Sequence, residues 1–363
     1  MKATRALHEL GQSLWLDNIT RSMLDDGRIQ RYVDDYSVTG LTSNPSIFDH
    51  AIASGDYDES IDELVAKGLS SEEIFFELAI ADLQRAADIF LGVHERTAGV
   101  DGWVSLEVSP LLARDTAQTI EAAKALHARA RRENLFIKIP GTVEGLAAIE
   151  ECTAAGVPVN VTLLFDADHY RAAADAYLRG IERRVAAGLD PLVGSVASIF
   201  VSRWDVASSS LVPEELANRL GLAVGREVYR AYHEVMASDR VLRLLNVGAR
   251  MQRLLWASTK TKDPSASDTL YVRALAAPLT INTMPDDTLE AFFDHGEVVA
   301  ALARDGGDCD GELQRFAAAG IDKRALARQL QDEGATSFAN SWHALLARID
   351  SQRTTLGSRH QRS

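Results

Sequence analysis

The stretch Leu135-Phe136-Ile137-Lys138-Ile139-Pro140 is a short run of apolar residues interrupted by one lysine. Continuous apolar character over strand length suits a strand covered by helices on one face and by a barrel interior on the other. Seven further segments of this kind are spaced along the chain, at Leu14–Asp17, Val38–Ser43, Trp103–Val108, Pro158–Leu164, Gly194–Val201, Leu254–Ser258 and Thr280–Thr283. Helical patterns separate them. Ser71–Arg96 puts Phe76, Ile80, Leu83, Ala87 and Phe90 on one stripe, with Asp82, Arg85 and Asp88 falling away from it. Ser70 and Glu73 form a capping box ahead of that helix. Asp115–Arg132 and Ala167–Ala187 repeat the amphipathic period, and Thr336–Ile349 reads as a long C-terminal helix. Eight strands alternating with helices imply parallel pairing and right-handed crossovers, hence an α/β fold of the (β/α)8 TIM-barrel type with additional N- and C-terminal helices. An open doubly wound sheet has the same alternation, but no G-x-G-x-x-G or P-loop follows the first strand.

The chain has 363 residues, 46% of them hydrophobic and 25% charged, enough for a substantial core. Residues 1–350 read as one domain. Residues 351–363 hold little that is apolar and are expected to fray. A formal charge of −14 argues against a nucleic-acid or anionic-membrane partner. A small phosphate ester needs only two or three well-placed cations, so it stays possible. Cys152 and Cys309 form no C-x-x-C or Cys/His pattern, and the N-terminus has no apolar signal core. No run approaches a membrane span. These readings predict a cytoplasmic globular protein without metal or cofactor, as a monomer or homodimer.

Barrel chemistry sits where the strands end, and polar residues gather there. Asp17 closes the first predicted strand, Asn44 follows the second, Glu107 lies in the third and Lys138 in the fourth. Asn160 and Thr162 share one face of the fifth. Each has a structural alternative. Asp17 could cap a helix starting at Asn18, Asn44 before Pro45 could shape a turn, and Asn160 and Thr162 could satisfy buried backbone groups. Lys138 and Glu107 could simply pair with each other.

The group also has a chemical reading. A lysine amine is ordinarily protonated, with a pKa of about 10.4, and burial or nearby positive charge frees it to attack a carbonyl. The resulting Schiff base acts as an electron sink for carbon–carbon cleavage, and neighbouring carboxylates move the protons. The nine histidines fall in helices, loops or the tail, without H-x-H or H-E-x-x-H, and no G-x-S-x-G is present.

These stretches resemble the transaldolase family, in its longer bacterial branch, from about Leu7 to Ile349. The resemblance rests on Gly40-Leu41-Thr42-Ser43-Asn44-Pro45-Ser46-Ile47-Phe48, on Ile137-Lys138-Ile139-Pro140-Gly141-Thr142, on Val159-Asn160-Val161-Thr162-Leu163-Leu164-Phe165, and on Ser195-Val196-Ala197-Ser198-Ile199-Phe200-Val201-Ser202-Arg203. It implies Lys138 as the Schiff-base lysine, Asp17 as the acid/base at the C4 hydroxyl, and Glu107 with a water held by Thr162 as the proton shuttle. It further implies Asn44, Asn160 and Ser198 on the dihydroxyacetone hydroxyls and Arg203 on a sugar phosphate. Shorter members carry a second phosphate arginine after the seventh strand. Here that segment reads Ala257-Ser258-Thr259-Lys260-Thr261-Lys262, which leaves Ser258 with Lys260, Lys262 or both at the phosphate. The implied substrates are sedoheptulose 7-phosphate and glyceraldehyde 3-phosphate, converted to erythrose 4-phosphate and fructose 6-phosphate. A fructose-6-phosphate aldolase-like enzyme, a barrel recruited to another sugar phosphate, and an inactive binding barrel are the alternatives.

Overall fold

A computed structural model describes residues 1–360, with side chains described through Arg353. Eight strands close into a parallel barrel in chain order: β1 (Ser13–Leu16), β2 (Val38–Thr42), β3 (Val104–Glu107), β4 (Leu135–Pro140), β5 (Val159–Leu164), β6 (Ser195–Phe200), β7 (Arg253–Ala257) and β8 (Thr280–Met284). Every residue of these strands is buried, the polar ones included, which suits a sheet covered on both faces. The register sets Glu107 beside Lys138 and Lys138 beside Asn160, so three adjacent strands deliver polar side chains at one level. At Gly40 on β2 a Cβ would lie 2.6 Å from the Trp103 carbonyl and 2.7 Å from the Trp15 ring, so this inward position admits only glycine.

The helix Ser71–Arg96 has the expected capping box, with Ser70 N donating to Glu73 Oε2 at 2.8 Å and Glu73 N to Ser70 Oγ at 3.3 Å. Its apolar stripe is buried, and Arg85 and Asp88 are exposed. Asp82 departs from the expectation: it is buried, accepting from Tyr57 Oη at 2.7 Å and from Arg21. The segments around Arg21 and Tyr57 give this helix a second covered face, which its main stripe alone does not reveal. Helices Thr116–Ala130, capped by Asp115, and Ala167–Ala186 agree with the sequence reading.

The C-terminal helix is longer than its apolar pattern suggests, running from Lys323 to His360. It does not break at Ser351, where the composition predicts fraying; Gln352 donates to Asp58 Oδ1 at 2.8 Å and Arg353 to Ser71 Oγ at 3.3 Å. Polar contacts hold this turn where apolar ones are lacking. The last part of the expected tail, residues 361–363, lies outside the described residues. Upstream, Trp342 is buried and packs edge-on against Phe75, with ring centroids 4.8 Å apart. The same helix reaches across the barrel mouth: Gln331 Nε2 donates to Leu163 O at 2.9 Å and to Gly141 O at 3.1 Å. Among the described residues, no helix is long and apolar enough to cross a membrane.

Candidate active site

A cavity of about 280 Å³ opens at the C-terminal ends of the strands. Asp17, Asn44, Lys138, Asn160, Thr162, Ser198, Arg203, Ser258, Lys260 and Lys262 all line it, so ten of the eleven expected site residues meet there. The eleventh, Glu107, is buried beside Lys138 on the adjacent strand and is not part of the lining.

Lys138 is buried on β4, where its Nζ donates to Ser43 O at 2.9 Å and to Glu107 Oε2 at 3.3 Å. The Lys138–Glu107 pair, the structural alternative for these two residues, therefore exists. A pair of this kind does not preclude chemistry, because the amine also faces the cavity. Burial raises the Glu107 carboxyl above its ordinary value, with Lys138 as the main opposing influence.

Asp17 follows β1, and its backbone N–H extends the ladder to Met284 O at 2.8 Å. Its side chain caps no helix, since Thr20 caps the helix Arg21–Asp25. Instead Oδ1 accepts from Thr42 Oγ1 at 2.8 Å. Desolvation by the surrounding protein raises the Asp17 carboxyl above its ordinary value, and the positive charge of Lys138 does most to pull it back. Asn44 does shape the chain locally: it caps the helix Pro45–Ala53, its Oδ1 accepting from Ile47 N at 3.2 Å and Ser46 Oγ at 2.6 Å. Its Nδ2 has no hydrogen-bond partner among the described residues and belongs to the cavity wall.

Asn160 is held from both sides. Its Nδ2 donates to Ser105 Oγ at 3.1 Å, and its Oδ1 accepts from Ser198 Oγ at 2.7 Å. Thr162, one strand-face step further, is buried, and its hydroxyl has no hydrogen-bond partner among the described residues. A β-bulge between Val161 and Leu164 leaves Leu163 at φ 57°, and this irregularity sits beside the cavity.

The cations divide. Arg203 follows β6 with its guanidinium 5.0 Å from the Phe200 ring centroid; burial lowers its pKa. Lys260 is taken up by Asp287. Lys262 pairs with no carboxylate among the described residues, and its ammonium is held below its ordinary value, first by desolvation and then by Lys260. Ser258 sits at φ 56° with its hydroxyl 2.9 Å from Ser202 Oγ.

Several lining residues escape the sequence reading. Thr42 and Thr283, 2.8 Å apart through their hydroxyls, are threonines in strands and carry no distinctive signal. Ser337, Phe338 and Ser341 come from the C-terminal helix. Nothing in their local pattern marks them, because only the docking of that helix brings them to the mouth. Among the described residues, no group of three or more His, Cys, Asp or Glu side chains could hold a metal ion.

A lysine lining a polar cavity at the C-terminal mouth of a (β/α)8 barrel, with two carboxyls at hand, has the groups that a Schiff-base aldolase barrel requires. A sequence model of the Transaldolase/Fructose-6-phosphate aldolase family matches residues 14–349. The transaldolase of Thermobifida fusca is 44% identical over 356 residues, covering 95% of this chain and 97% of the relative. That of Saccharopolyspora erythraea is 44% identical over 355 residues, 96% of each. An Arthrobacter transaldolase is 43% identical over 357 residues, again 96% of each. The chain belongs to the transaldolase/fructose-6-phosphate aldolase family.

Proposed function

We propose that this chain is a transaldolase of the pentose phosphate pathway, transferring a dihydroxyacetone unit from a ketose phosphate to an aldose phosphate. The observation that carries this reading is the Lys138 amine, fixed between Ser43 O and Glu107 at the inner end of a cavity whose outer side holds Arg203 and Lys262. Near full-length likeness to proteins named transaldolase favours transfer over simple aldol release.

In this reading the Lys138 amine adds to the C2 carbonyl of sedoheptulose 7-phosphate or fructose 6-phosphate. The carbinolamine loses water to form the imine. Glu107 serves this step and its reversal, with a water held at the partnerless Thr162 hydroxyl. Asp17 takes the C4 hydroxyl proton as the C3–C4 bond breaks, and the electron pair is accepted by the iminium as an enamine. The departing aldehyde leaves and the acceptor enters. Its carbonyl carbon is attacked by C3, and Asp17 returns the proton to the new hydroxyl. Hydrolysis of the new imine frees the product and Lys138. Asn44, Asn160 and Ser198 bind the hydroxyls of the three-carbon piece.

For the phosphate, Arg203 supplies the main cation. Of the two lysines after β7 we assign the role to Lys262, because Lys260 already has Asp287. Ser258, linked to Ser202, supports that loop. We place the reaction in the cytoplasm, where the free, buried Cys152 and Cys309 would stay reduced, and expect a monomer or homodimer.

The test is a transfer assay with fructose 6-phosphate and erythrose 4-phosphate, following sedoheptulose 7-phosphate and glyceraldehyde 3-phosphate. Formation of both products supports the reading. Glyceraldehyde 3-phosphate with free dihydroxyacetone as the main product, independent of the acceptor, would instead make the enzyme an aldolase.

A further inference from the structure

The C-terminal helix Lys323–His360 lies outside the barrel, yet it contributes to the cavity wall. Its contact with the mouth is tightly set. Gln331 clamps it to the carbonyls of Gly141 and Leu163, just past β4 and at the β5 bulge. One turn on, Gly334 allows close approach: a Cβ there would lie 2.9 Å from Leu163 Cδ2 and 3.0 Å from an Arg203 guanidinium nitrogen. The turn after that presents Phe338. Its ring centroid is 5.9 Å from Lys138 Nζ and 5.9 Å from the Arg203 guanidinium carbon, and it meets the Phe200 ring edge-on at 6.4 Å. One aromatic ring thus lies equally near the amine and the arginine, and all three line the same cavity. Trp342, buried against Phe75 and Phe76, anchors the helix beyond it.

We propose that Phe338 is a specificity-determining residue that sets whether the three-carbon unit on Lys138 is passed to an aldehyde or released to water. This rests on the transfer reading above. After C3–C4 cleavage the enamine has two fates. In transfer, C3 forms a bond to the acceptor carbonyl carbon, whose oxygen takes a proton. In release, C3 takes a proton, water adds to C2 of the resulting iminium, and the C–N bond breaks to give dihydroxyacetone and the free amine. The two routes share the final hydrolysis and part at C3: release is committed when C3 takes its proton from a water at the mouth side while the acceptor is away. An aromatic ring over the amine fills that space with an apolar surface that cannot orient a water. Water for imine hydrolysis after transfer is served from the Thr162 and Glu107 side, so the ring suppresses one fate without blocking the other. It also lies against Arg203, whose guanidinium it helps keep turned to the cavity.

The experiment compares the unmodified enzyme with Phe338→Ala and Phe338→Leu on fructose 6-phosphate and erythrose 4-phosphate. It measures free dihydroxyacetone formed per sedoheptulose 7-phosphate formed. Phe338→Ala is expected to raise that ratio about tenfold, the scale on which a missing apolar group alters discrimination. Phe338→Leu, which refills the volume, should restore most of the original ratio. Should Phe338→Ala fold poorly, Gln331→Ala loosens the clamp with the ring intact and should shift the ratio in the same direction. Asn340→Ala, exposed on the same helix, should leave it unchanged. If transfer and release fall in parallel in Phe338→Ala or Gln331→Ala, the ring is only structural and the proposal is overturned. An unmodified enzyme that performs no transfer overturns the functional reading, and this proposal with it.

Discussion

The two ends of the barrel both bury charge, and they treat it differently. At the N-terminal end Asp101 accepts from Ser13 Oγ, from Trp15 Nε1 at 2.7 Å and from Gly102 N at 3.1 Å. Arg253, 3.9 Å from it, donates to Ser13 Oγ at 2.6 Å and to the carbonyls of Thr280 and Val100 at 3.0 Å. Each charged group there is met by several partners, the condition under which a buried polar network rigidifies a fold. At the C-terminal end, among the described residues, Lys138 has two hydrogen-bond partners and lines a cavity, Asp17 has one side-chain donor, and the Thr162 hydroxyl has none. Burial raises both carboxyls there. Spare bonding capacity beside a cavity sets the C-terminal end apart from the saturated N-terminal end, and the proposed chemistry uses that difference.

This contrast can be broken by exchange of single groups. The largest effects belong to the carboxyls of the catalytic end. Asp17→Asn should lower kcat by about 10²–10⁴-fold, the range for removing a positioned acid/base, and the same variant should melt at a higher temperature at neutral pH. The sign follows from burial. A carboxyl whose folded pKa is raised contributes stability that is complete below its unfolded pKa and is lost as pH rises through the folded one. Its charged form therefore costs stability at pH 7, and a neutral amide removes that cost. A drop in melting temperature on Asp17→Asn would place Asp17 with the structural groups instead.

At the opposite end, Asp101→Ala should cost ~3–5 kcal/mol in denaturant unfolding by stranding Arg253. The kcat per folded molecule should stay unchanged. Loss of activity beyond the unfolded fraction would show that the two ends are coupled.

Smaller effects sharpen the mouth. Lys262→Ala should raise KM for sugar phosphates about tenfold or more, as expected for losing a charge-assisted bond. Lys260→Ala should change it by less than about threefold, since its exposed pairing with Asp287 is worth little. The reverse order would reassign the phosphate lysine. Least dramatic is the pH profile. With both carboxyls raised by burial, the acidic limb of kcat should lie above the ordinary values of 3.8 and 4.5. A limb at or below those values would contradict the desolvation described for the site.

The barrel was legible because its strands are buried on both faces, and that constraint writes itself into eight short segments, most of them nearly continuous apolar runs. The site was legible for the same reason in reverse: a lysine or glutamate inside such a run contradicts its surroundings and demands an explanation. What could not be read depends on docking between distant segments. Asp82 turns inward because Arg21 and Tyr57 meet it, and periodicity on its own helix cannot show that. The choice between Lys260 and Lys262 depends on Asp287, which arrives from the first turn of the helix Asp286–His295. Phe338 reaches the cavity because its helix docks there, through Gln331 on carbonyls 190 and 168 residues away and through Trp342 on Phe75. Local chemistry was visible in the chain, and the assembly around it was not.

The central claim is that Lys138 carries the substrate as a Schiff base. The most direct measurement is borohydride reduction in the presence of fructose 6-phosphate, followed by peptide mass spectrometry. The account predicts a reduced dihydroxyacetone adduct on Lys138, absent from Lys138→Ala. An adduct on another lysine, or none with the sugar phosphate shown to bind, would contradict it.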